Sequence, residues 1–137
     1  MSTERFALQA WSKAEVHFAE AAAQQPAVTP GAIVHLAYYA MFHAARAALL
    51  RQVGSAPKKH ASVVGQFGLF VKDQGLESRR AGENIRDIQD RRIRADYKEE
   101  ARMSAEDAQD PLRKARAFLD LCSKEFGFPR AALTPDA

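Results

Sequence analysis

The chain predicts an all-α fold, an antiparallel bundle of four to five helices, on three observations. Apolar residues recur at three- and four-residue spacing along most of the chain, and no stretch alternates with period two. Gly and Pro cluster at a few points that cut the chain into helix-sized pieces joined by short connections, which makes neighbouring helices antiparallel. The 137 residues, 47% apolar and 27% charged, suffice for one hydrophobic core, and neither a repeat nor a domain linker interrupts them. Residues 1–126 therefore read as a single bundle, and 127–137, with Pro129 and Pro135, as a loosely ordered tail.

The first helix, about 3–25, is Ala-rich and carries Phe6, Ala10, Ala14 and Phe18 on one face, up to the loop that Pro26, Pro30 and Gly31 mark. The second, about 32–53, is apolar on two faces: Ile33, Leu36, Ala40, Met41 and Ala44 on one, Tyr38, Phe42, Ala45 and Leu49 on another. Such a helix needs neighbours on more than one side. After a turn at Gly54 and "SAPKK", a third helix shows Val63, Phe67, Phe70 and Val71 as its stripe and stops near Gly75. "GLESRRAGEN" reads as a polar connector, and Ile85, Ile88 and Arg92 begin a fourth helix. In "MSAED", Ser104 is placed to cap a fifth helix whose first turn holds Glu106 and Asp107. Its core face is Ala108, Leu112, Ala115, Leu119 and Cys122, with Pro111 expected to kink it or reset its start.

Composition removes several function classes. A net charge of +3 from 20 basic and 17 acidic residues permits nucleic acid as a partner without implying it. The single cysteine, Cys122, excludes an internal disulfide framework, and "MSTERFALQA" has no signal-peptide core, so a cytoplasmic location is expected. The most apolar stretch, 32–50, holds two histidines and an arginine and reads as a buried helix, so no membrane partner is expected. Four scattered histidines offer no metal-ligand cluster, nothing resembles a Gly-rich phosphate loop, and no cofactor is expected.

Chemistry concentrates in "RRIRADYKEE", residues 91–100. On a helical wheel Asp87, Asp90, Arg91 and Arg94 point away from Ile85 and Ile88, and Arg86–Asp90, Asp87–Arg91 and Asp90–Arg94 form an i,i+4 ladder. Each such pair contributes about 0.2–0.5 kcal/mol. Arg92 and Asp96 instead fall on the Ile85–Ile88 stripe and are expected to face the bundle or a partner subunit. A charged pair there costs several kcal/mol per ion in desolvation, so it marks a specific task, either helix register or a site. On the second helix His35, Tyr39, His43 and Arg46 fall within about an 80° arc. They are either satisfied polar edges of the core or, with Arg92, a cationic pocket for a phosphate. His60, after Lys58 and Lys59, is a candidate for anion binding or for capping the third helix.

"AYYAMFHAARAALL", then "PKKHASVVGQFGLFVKDQG", then "RRIRADY" together resemble the small stand-alone HEPN-domain family over about residues 5–125. The resemblance implies a four- or five-helix bundle that dimerises through its long helices. It also implies pairing with a minimal nucleotidyltransferase in a toxin–antitoxin-type module. Ribonuclease members of the wider group carry an arginine followed, after four to six residues, by a histidine, forming a metal-independent RNA-cleaving site between two subunits. Here Arg91 or Arg92 matches the arginine, but Asp96, Tyr97, Lys98 and Glu99 follow and every histidine lies at or before position 60. An aspartate of ordinary pKa, about 3.9, is a poor general acid at neutral pH. The matching pattern is instead Arg92, Ala95, Asp96 and Tyr97, and in some family pairs a tyrosine beside the motif receives a nucleotide, a role the resemblance extends to Tyr97.

Three readings follow. The first is a HEPN-type module, a homodimer that pairs with a nucleotidyltransferase and holds nucleotide or RNA phosphates through Arg92, Asp96, Tyr97, Tyr39, His43, Arg46 and His60. The second is a ribonuclease toxin with an atypical site of Arg92 and either Asp96 or His43. The third is a purely structural helical dimer in which Arg92 and Asp96 set helix register.

Overall fold

A computed structural model describes residues 3–97 and 104–130, with the side chains of 95–97 excepted. The described residues form five helices and no strand: α1 (Thr3–Ala23), α2 (Pro30–Gln52), α3 (His60–Val71), α4 (Leu76–Tyr97) and α5 (Ala105–Phe126). The all-α bundle expected from the sequence is the fold.

Helix α2 touches each of the other four. It buries Ile33, Val34, Tyr38 and Met41 completely, along with a run of alanines. Its length and composition would suit a membrane crossing, yet 67% of its most apolar window is buried against protein, the behaviour of a core helix. Helix α1 lies antiparallel to it, with Glu4 ion-paired to Arg51 at one end and His17 against His43 near the other. Mostly alanines line this seam, Ala7, Ala10 and Ala14 from α1 among them, which lets the two helices approach closely.

Helix α4 begins at Leu76, so the expected polar connector is helical instead. The buried face of that segment consists of Ser78, Ala81 and Gly82, small side chains that give little apolar signal, while Arg79, Arg80 and Glu83 are exposed. Small residues are required there. A Cβ on Gly82 would lie 3.1 Å from Val71 Cγ2 and 3.2 Å from the Gly68 Cα, so α3 and α4 meet almost backbone to backbone. Gly75, at φ 103, makes the turn between them.

The expected outer ladder on α4 is also reassigned. Asp87–Arg91 closes at 3.0 Å, but both residues reach across to α5: Arg91 to Asp110 at 2.8 Å, and Asp87 to Lys114 at 3.1 Å. Burial alone would raise the Asp110 carboxyl, but the hydrogen bond and charge of Lys114, with Arg91, outweigh it and hold the group below the usual carboxylate range. The network is an interhelical clamp. Ser104 caps α5 as expected, in a capping box with Asp107, and the helix continues through Pro111 to Phe126.

The tail expected to be loose from Gly127 is firmly packed as far as Arg130. Phe128 stacks on Trp11 at 4.7 Å, the Trp11 indole N–H donates to the Pro129 carbonyl at 2.6 Å, and Arg130 pairs with Glu15 at 2.7 Å. An aromatic side chain two residues after the helix end supplies the apolar contact that composition alone did not reveal. Residues 131–137 lie outside the described residues.

Two glycines predict opposite outcomes. Gly65→Ala, with nothing within 4 Å of the new methyl, should raise stability by up to about 1 kcal/mol through helix propensity. Gly82→Val should lower it by about 1–3 kcal/mol through overpacking against Gly68 and Val71. Urea unfolding of the two variants checks both.

Candidate functional site

The site is where α2, α3 and α4 converge, and it starts from a buried tyrosine. Tyr38 is fully buried in α2, and its hydroxyl lies 2.9 Å from His60 Nδ1 at the first residue of α3. Burial, only partly offset by the nearby Arg92 charge, pushes the Tyr38 phenol up to about 12, so it stays protonated at physiological pH. Burial also lowers the His60 pKa, and Arg92 lowers it further, which favours the neutral ring. When the Tyr38 hydroxyl donates to Nδ1, the remaining imidazole proton sits on Nε2, the nitrogen pointing away from Tyr38. The ring is fixed on its other side by Phe42, stacked at 4.0 Å and 7°. His60 therefore does not cap α3: Lys59 is the N-cap residue, and its side chain makes no capping bond.

Arg92 comes from the stripe that continues Ile85 and Ile88, both fully buried, and is itself half-buried. Its guanidinium carbon lies 4.7 Å from the Tyr38 ring centre and 5.9 Å from that of Tyr39. A guanidinium over two phenol faces is held by their π-electron density. Arg92, Tyr38, Tyr39 and His60 thus form one constellation from three helices.

A second set of rings adjoins it. His43, one turn after Tyr39, stacks on His17 of α1 at 5.3 Å, and His17 lies 5.9 Å from Tyr39. His43 Nδ1 is buried without a hydrogen-bond partner among the described residues. Burial lowers the His43 pKa to about 4, and the electrostatic influence of His17, Lys13, Arg46 and His60 adds to the shift. Arg46, half-buried on the same face, donates through Nε to the Pro57 carbonyl at 3.3 Å.

Of the residues singled out in the sequence, the structure brings Arg92, Tyr39 and His60 together and sets His43 and Arg46 along the adjoining face of α2. His35 lies half-buried nearer the start of that helix. The Asp96 and Tyr97 side chains lie outside the described residues. Sequence reasoning missed Tyr38, which counted as an apolar-face residue, and His17, which stands alone in α1. No local signal marks either residue: the Tyr38–His60 contact spans 22 positions and depends on how α3 is docked. The described residues contain no cluster of His, Cys, Asp and Glu able to hold a metal ion.

The model of the HEPN domain matches residues 9–125, most of the chain. This chain belongs to the HEPN-domain family. The matched span contains every residue of the constellation. Among relatives, the protein named "Putative toxin MJ0605" of Methanocaldococcus jannaschii is 36% identical over 88 residues. That match covers 64% of each chain, so this HEPN chain spans somewhat less than two thirds of that relative's length. "UPF0332 protein PH1297" of Pyrococcus horikoshii is 49% identical over 43 residues, 31% of this chain and 30% of that one. No solved structure matches.

His43 makes the HEPN bundle acid-sensitive above the carboxylate range. Its folded pKa of about 4 lies below the ordinary value of 6.5, so the unfolded chain binds the proton more readily. Stability should fall as pH drops from about 6.5 toward about 4. The paired carboxylates Glu4, Asp107 and Asp110, whose folded pKa values are depressed, add losses that begin near their unfolded values of 3.8–4.5 and grow as pH falls further. Thermal unfolding followed across pH 4–7 should show a shallower acid limb for His43→Gln than for wild type.

Proposed function

We propose that this HEPN chain is a phosphate-binding module, in which Arg92 and His60 take a nucleotide or RNA phosphate, and that it works in a toxin–antitoxin-type pair with a minimal nucleotidyltransferase. The carrying observation is the Arg92 guanidinium lying over Tyr38 and Tyr39 beside a half-buried His60. A guanidinium is a planar donor fork whose geometry matches phosphate oxygens, and the neutral His60 adds an N–H without adding charge. The toxin designation of the M. jannaschii relative supports the pairing. Tyr97, in the last turn of α4, is the proposed acceptor of a nucleotide from the partner enzyme, Asp96 is proposed to complete the phosphate site, and the functional unit is proposed to be a homodimer.

A second reading, ribonuclease, is favoured by one observation: an arginine and a histidine are neighbours in space although no histidine follows Arg92 in sequence. RNA cleavage by internal transfer needs a base at the 2′-hydroxyl and an acid at the leaving oxygen. His60 and His43, both lowered, suit proton acceptance, but Tyr38, at about 12, holds its proton too tightly to serve as an efficient acid. The geometry therefore supports binding better than cleavage.

Arg92→Ala should weaken binding of a 5′-nucleotide by about tenfold or more, the size of a lost charge-assisted contact, with helicity retained. Calorimetry of folded wild type and variant checks this, and unchanged affinity would remove Arg92 from the site. RNA incubated with either protein in EDTA should remain intact. Cleavage by wild type that Arg92→Ala abolishes would promote the second reading.

A further inference from the structure

The outer face of α4 carries Arg79, Glu83, Arg86 and Asp90, all exposed and alternating in sign along the helix. None of the four makes an ion pair among the described residues, whereas Asp87 and Arg91 beside them turn to α5. They border a groove of about 450 Å³ between α3 and α4, with Gly68 and Gly82 in its wall and Leu69 at its edge. Leu69 is 72% exposed. At the two ends of the same α4 face stand Leu76 and Ile93, the large apolar side chains that this helix exposes among the described residues.

Positions 76, 79, 83, 86, 90 and 93 step by three and four residues, which is the spacing of a seam against a second helix. At 100° per residue they share one arc of roughly 100°. Arg92 falls on the opposite side of α4 with the buried Ile85 and Ile88, so this seam is separate from the site already described.

The order of the six residues shows which helix fits. Leu76 and Ile93, Arg79 and Asp90, and Glu83 and Arg86 are placed symmetrically about the midpoint between Asn84 and Ile85. A second α4 laid antiparallel across that midpoint sets each arginine against a carboxylate and each apolar side chain against an apolar one. Because such a contact is two-fold symmetric, every pair occurs twice. A parallel copy in register would instead oppose like charges along the whole seam.

We propose that this face of α4 is a homodimer interface, in which two copies of the chain pack antiparallel through the six residues. The inference rests on the reading that the functional unit is a homodimer and is independent of what Arg92 binds. Leu76 and Ile93 supply apolar burial at the ends, and the charges fix direction and register. The two Arg92 residues then lie about 22 Å apart along the helix axis and face away from the seam. Each Arg92 constellation is therefore complete within one subunit, unlike the two-subunit cleavage site of ribonuclease members.

Sedimentation velocity and native mass spectrometry of two charge-swapped chains test this. Glu83→Arg with Asp90→Arg makes the face wholly positive, and Arg79→Glu with Arg86→Glu makes it wholly negative. Wild type should be a dimer, and each double variant, with helicity retained, should dimerise more weakly by about tenfold or more. Mixing the two variants should restore a dimer containing one chain of each, a recovery that misfolded chains cannot give. Asp90→Arg alone, a single exposed change, opposes like charges twice in the pair and should weaken the dimer in the same direction. Variants that dimerise as tightly as wild type, or that remain monomeric when mixed, overturn this interface and leave the homodimer reading standing on another face. A wild type that is monomeric throughout the micromolar range overturns both.

Discussion

Close approach of α1 to α2 is the constraint on which the rest of the structure depends. Ala7, Ala10 and Ala14 are buried against an alanine-rich α2, and these small side chains let the two helices approach closely. That proximity brings the His17 and His43 rings to 5.3 Å. With α2 engaged by all four neighbours, its exposed share shrinks to one polar line, and the functional chemistry is confined to that line. Gly68 and Gly82 play the same part for α3 and α4, whose tight packing delivers His60 and Arg92 to one mouth.

Aromatic rings then hold the cation and the histidine of the site in place. The Tyr38 and Tyr39 faces attract the Arg92 guanidinium, and the Tyr38 hydroxyl holds His60. Placing a cation over rings lowers the cost of taking it out of water. The charged clamp of Asp87, Arg91, Asp110 and Lys114 lies on the other side of α4 and stabilises the α4–α5 pair. The split between inward Arg92 and outward Arg91 is thus a split between site and scaffold.

Much of this was legible in the sequence, and what was not has identifiable causes. Period-3.6 patterning located α1, α2, α3 and α5, and the Ser104 cap signal held because it depends on residues three apart. The first turns of α4 were hidden because their buried face is Ser78, Ala81 and Gly82, whose role is to be small. Phe128 escaped notice because a lone aromatic beyond a helix end carries no periodicity. At the site, the wheel separated Arg92 from its neighbours, since that depends on helix geometry alone. Tyr38 and His17 were beyond reach because their roles arise from docking between helices. The fold of the HEPN family was recognisable from three local stretches, whereas the site is a property of their packing.

The central claim is that Arg92 and His60, the latter held by Tyr38, receive a phosphate. NMR titration of the His60 ring proton, with and without a dinucleoside monophosphate whose charge is constant across the pH range, tests it most directly. His60 should titrate below the usual value of about 6.5 in the free protein and move upward when the phosphodiester charge arrives beside it. A His60 pKa unmoved at saturating ligand would contradict the account.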